Sequence, residues 1–96
     1  MKIDREKILN RIDGVSMSAS HFATLCDPEC FYTMAIAEWL GYRLDKLPPR
    51  VEKRVSEVFV VMEQVILEMG KPPEEISPGE LADEVRKRCQ YEHRAA

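Results

Sequence analysis

The chain has 96 residues, 45% apolar and 32% charged, with three cysteines and a formal net charge of −3. That length predicts one domain spanning 1–96 that is able to fold alone, and the composition excludes a disordered or low-complexity chain. The acidic balance makes nucleic acid an unfavourable principal partner, because binding phosphates needs a net basic face.

At the amino terminus, Met1-Lys2-Ile3-Asp4-Arg5-Glu6 is charged from the outset and has no apolar signal core. Asp4 is placed to cap a first helix, with Ile3 and Ile8 as a staple across the cap and Gly14 as its stop. Its inner face is Ile8, Leu9 and Ile12, with Val15 folding back after the glycine. Ser16 to Cys26 reads as a short second helix that breaks before Pro28, since proline disfavours α geometry at Asp27.

Asp27 followed by Pro28 then predicts a third helix running to about Gly41. Phe31, Met34, Ile36 and Leu40 lie on several of its faces and Cys30 to Ala37 has no charge, so the expectation is a helix buried in mid-domain. Residues 44–49 form a connection stiffened by Pro48-Pro49.

A long helix is predicted over about 50–69. Val51, Val55, Val58, Met62, Val65 and Met69 recur at 4-3-4-3-4 spacing, the seam of a helix packed lengthwise on another. Together with Phe59 and Ile66 they fill an apolar arc of roughly 120°, enough for an intramolecular core. Gly70-Lys71-Pro72-Pro73 ends it. Ser77-Pro78-Gly79-Glu80 is a capping box for the last helix, with Ile76 and Leu81 as its staple. Leu81, Ala82, Val85 and Cys89 form its apolar stripe, and 91–96 is expected to fray. With no alternating pattern anywhere, the fold is all-α: a compact four- to five-helix domain with no sheet.

Two features of the long helix point to a second chain. Val60 and Leu67 fall outside the main apolar arc, between polar strips, where they meet either another helix of the same bundle or another subunit. Arg50, Lys53 and Arg54 stand at its start and Glu63 and Glu68 at its end, opposed to the helix dipole. Packed antiparallel, the last helix sets its acidic start against Glu63 and Glu68, whereas a second antiparallel copy of the long helix sets Arg50, Lys53 and Arg54 there. Exposed pairs of this kind are worth at most about 1 kcal/mol each, enough to orient a dimer but not to hold it.

Cys26 and Cys30, and again Cys89 and His93, are spaced to share a helix face. Brought together they form a Cys3His set suited to tetrahedral zinc, against the simpler reading of packed thiols. The odd cysteine count fits reduced thiols. Cys30 in a first helical turn would have a lowered thiol pKa, with His21 as the base nearest in sequence. Ile36-Ala37-Glu38-Trp39-Leu40-Gly41 resembles the first half of a helix-turn-helix, but the second helix would run through Pro48-Pro49. Glu80 and Asp83 lie one turn apart, a spacing that resembles the magnesium carboxylates of all-α nucleotide pyrophosphohydrolases. The long helix offers only scattered Glu57, Glu63 and Glu68 as a facing cluster. The sequence therefore predicts a cytoplasmic, non-enzymatic interaction or regulatory module without cofactor, homodimeric through the long helix. A zinc-stabilised binding domain, a DNA-binding regulator and a small metal-dependent hydrolase are the alternatives.

Overall fold

The computed structural model describes the backbone of residues 3–95 and the side chains of residues 3–89. Among the described residues there are five α-helices: α1 (Arg5–Gly14), α2 (Ala19–Cys26), α3 (Thr33–Leu40), α4 (Pro49–Met69) and α5 (Pro78–Ala95), with one 3-10 turn at Pro73–Glu75. No strand occurs among the described residues, and the predicted all-α class holds. None of these helices is long and apolar enough to cross a membrane.

The caps explain most of the boundaries. Asp4 accepts a hydrogen bond from the Lys7 backbone N–H at 3.2 Å and opens α1. Ser18 does the same for α2 through His21 N–H at 3.0 Å, so this helix begins at Ala19 rather than at Ser16, whose φ is 57°. Ser77 caps α5 through Glu80 N–H at 3.3 Å. The α5 backbone stays helical through Ala95, past the point at Tyr91 where fraying is expected. Gly70 closes α4 at φ 63° with nothing within 4 Å of a Cβ built on it, so the requirement there is for the left-handed backbone and not for space.

The core is wholly apolar: among the described residues no polar or charged residue is buried and no buried side-chain polar atom lacks a partner. Ile8, Ile12, Phe22, Ile36, Leu40, Val55, Val58, Met62, Val65, Leu81 and Val85 build it. The α4 seam is its spine, with Phe59 and Met69 half-buried at the margin. Helix α2 packs chiefly on α3, and α4 chiefly on α5.

Arg5 locks α1 to the far side of this core. Its Nη1 donates to the carbonyls of Trp39 (2.8 Å) and Leu44 (3.2 Å), and its guanidinium lies 5.1 Å from the Trp39 ring centre and 4.2 Å from that of Tyr42. Two charge-assisted bonds to part-buried carbonyls and two cation–π contacts predict a loss of about 2 kcal/mol for Arg5→Ala in urea unfolding. Arg5→Lys should recover little of it, because an ammonium cannot span both carbonyls while stacking.

The third helix departs from expectation. It starts at Thr33, not at Pro28, because Asp27 acts as a brace for a turn rather than as a first-turn cap. Its carbonyl accepts from Cys30 N–H (3.0 Å) and Thr33 Oγ1 (3.3 Å), and its carboxylate accepts from Tyr32 N–H. Cys30 takes φ 63° within that turn. The expected burial on all sides also fails: Ile36, Trp39 and Leu40 point inward, while Phe31 (75%), Met34 (76%) and Tyr32 (49%) are exposed to solvent.

Candidate functional site

Helix α4 turns its seam inward, and the residues it leaves in solvent form a second, outer stripe. Lys53, Glu57, Val60, Gln64 and Leu67 are all exposed and follow 4-3-4-3 spacing directly opposite the core. Val60 is 53% exposed and Leu67 82%, so neither belongs to the buried core. Beside them a groove of about 470 Å3 runs between α1 and α4, lined in part by Lys7, Arg11, Phe59 and Glu63.

Three of the five charges singled out on this helix, Arg54, Glu63 and Glu68, have partners within the chain. Arg11 reaches Glu63 with Nε 3.1 Å from both carboxylate oxygens and Nη2 at 3.0 Å. Arg88 donates to Glu68 at 2.5 and 3.2 Å, and also approaches Glu84 at 3.7 Å. Arg54 donates through Nε to the Cys26 carbonyl at 3.2 Å, tying α4 to the end of α2. The like-charge meeting expected between the start of α5 and Glu63 or Glu68 is therefore corrected: α5 presents Arg88 to Glu68, and α1 supplies Arg11 to Glu63. Hydrogen bonding from Arg88, reinforced by its charge, holds the Glu68 carboxyl below the usual carboxylate range. A depressed pKa contributes stability at neutral pH that is lost as pH falls through the folded value. Arg50 and Lys53 stay exposed at the other end of the helix.

The cysteines divide. Cys26 and Cys89 are buried and line one cleft of about 390 Å3 together with Leu25, Pro28, Arg54 and Arg86. Burial pushes the Cys26 thiol well above the ordinary thiol range, only partly offset by Arg54. Cys30 is exposed and outside that cleft, its Sγ directed to the Pro28 carbonyl at 3.7 Å. It sits in a turn ahead of α3 and not in the first helical turn that the sequence predicts for it. The His93 side chain lies outside the described residues, and no three His, Cys, Asp or Glu side chains among the described ones converge to hold a metal. With excess disulfide reagent, one thiol should react rapidly in the native protein, and Cys26 and Cys89 only on unfolding. Three thiols reacting at one rate would contradict this burial.

The remaining motifs have structural employment. Glu80 donates its backbone N–H to the Ser77 cap, and Asp83 pairs with Arg86 at 2.9 Å. After Gly41, an extended connection with Tyr42 at φ 61° and Leu47 buried precedes α4 at Pro49. That connection is longer than the 3–4-residue turn of a helix-turn-helix. Comparison with protein-family models, with curated proteins and with solved structures finds no match to this chain.

Proposed function

We propose that the protein is a small interaction module that works as a homodimer, two copies pairing antiparallel along the outer stripe of α4. The observation that carries this reading is the exposure of Val60 and Leu67 on the side of α4 farthest from its core, within a stripe otherwise made of Lys53, Glu57 and Gln64. Two large aliphatic side chains one heptad apart on a solvent face suit contact with a helix of the same period. Pairing about a two-fold axis at Val60 sets each Val60 beside its mate and each Leu67 beside the aliphatic stem of Lys53. It also brings Arg50 of one copy toward Glu68 of the other, on the flank that Arg88 leaves open.

A stable contact draws on the flank of α1 as well as on α4. A stable interface buries about 800 Å2 on each partner. A helix of 21 residues is about 31 Å long, and the groove beside α1 widens its contact face. Since Glu63 and Glu68 already have partners, charge supplies orientation and apolar contact supplies adhesion.

The register is tested by oxidative cross-linking in a Cys30→Ser background. Val60→Cys should form a disulfide-linked dimer readily. Leu67→Cys should not, because an antiparallel pair separates the two positions by about 21 Å along the axis. Faster linkage at Leu67→Cys than at Val60→Cys would overturn the arrangement.

A further inference from the structure

The other exposed apolar cluster, Phe31, Tyr32 and Met34, lies at the tip of the α2–α3 hairpin, and its surroundings are unusual in charge. All fourteen lysines and arginines lie outside residues 12–42, while Asp13, Asp27, Glu29 and Glu38 lie inside that span. Arg50 and Arg54 border Tyr32 on its α4 side, with Arg54 fixed to the Cys26 carbonyl. On the outward side, Met34 and Glu38 are one turn apart on the same face of α3, both exposed, with Phe31 just ahead of the helix and Glu29 exposed beside it. The Arg5 clamp accounts for Tyr42, but none of the described residues covers Phe31 or Met34.

We propose that this tip is a docking site for a basic amphipathic helix of a partner protein, its apolar face on Phe31 and Met34 and its lysines or arginines toward Glu38. An aromatic beside a methionine provides a large, adaptable apolar contact of the kind that receives helical peptides. The absence of cations from the hairpin favours a basic partner. It disfavours both an acidic peptide and an anionic membrane, which would each meet like charge. A second copy of this chain is the less suitable occupant, since its own tip carries the same acidic charge. The site is separate from the α4 stripe, and failure of the dimer leaves it standing.

The test uses a labelled synthetic helix with leucine at i, i+3, i+4 and i+7 and lysine elsewhere, and a twin with glutamate for lysine, followed by fluorescence anisotropy on the full chain. The lysine peptide should bind and the glutamate twin should not. Phe31→Ser/Met34→Ser, which leaves the net charge unchanged, should weaken binding at least about tenfold with the thermal midpoint preserved. Glu38→Gln should weaken it about threefold, while Glu57→Gln on α4, with the same change in net charge, should have no effect. Equal binding of the two peptides, an unaltered affinity in the Phe31→Ser/Met34→Ser variant, or equal weakening by Glu38→Gln and Glu57→Gln would each overturn the proposal. So would loss of self-association in the Phe31→Ser/Met34→Ser variant, which would assign the tip to a second copy.

Discussion

Phe22→Ala is expected to destabilise the fold by about 4 kcal/mol, the largest effect of any single truncation in this chain. Phe22 leads the fully buried side chains and sits on α2, the short helix that packs on α3 and also meets α1, α4 and α5. Removing its ring takes away apolar burial and leaves a void in the packed interior, which the surrounding helices close only in part. A domain of this size has a total stability of roughly 5–15 kcal/mol, so the variant would be near the edge of folding. In urea the midpoint should fall by roughly 2–3 M, while Thr24→Ala on the exposed side of the same helix should change stability by no more than about 0.5 kcal/mol. The measurement belongs at low protein concentration, since association of folded chains adds apparent stability by mass action.

The second large effect concerns association. Val60→Glu/Leu67→Glu should weaken self-association about a thousandfold while leaving the monomer as stable as the parent. The two side chains and their symmetry mates contribute about 4 kcal/mol of apolar burial on pairing, and four new carboxylates along one seam add repulsion. Because both residues lie outside the buried core in the single chain, their replacement leaves that core intact. A double variant that unfolds as a monomer would instead place Val60 and Leu67 in the core. Unchanged association would move the dimer contact elsewhere.

Much of the architecture was legible in the sequence because it is written in local chemistry. Asp4, Ser77 and Gly70 act at the ends of helices as their residue types dictate, and the α4 seam buries the positions its spacing selects. The third helix departs from its sequence pattern for a physical reason. An apolar pattern without a polar face gives a wheel no direction, so nothing local distinguished Ile36, which is buried, from Met34, which is not. Asp27 could equally cap a helix or brace a turn, and the hydrogen bond from Tyr32 N–H is what selects the turn.

The same division runs through the candidate surface. Val60 and Leu67 stood out because they break the stripe, and they lie in solvent. The reversed charges looked like a vacancy for a second chain, yet Arg11 and Arg88 reach Glu63 and Glu68 from other helices. Such pairs depend on how the helices cross, which residue spacing does not encode. Arg5 gave no signal at all, since its partners are two carbonyls and two rings far along the chain.

If the proposed pairing along the outer stripe of α4 joins two copies of this chain, its mass depends on concentration. Sedimentation equilibrium of the unmodified protein, from low-micromolar to sub-millimolar concentration, tests it most directly. The mass should rise from the 11.1 kDa of one chain toward twice that value, along a single monomer–dimer curve. A mass that stays at 11.1 kDa to the highest concentration would contradict the account.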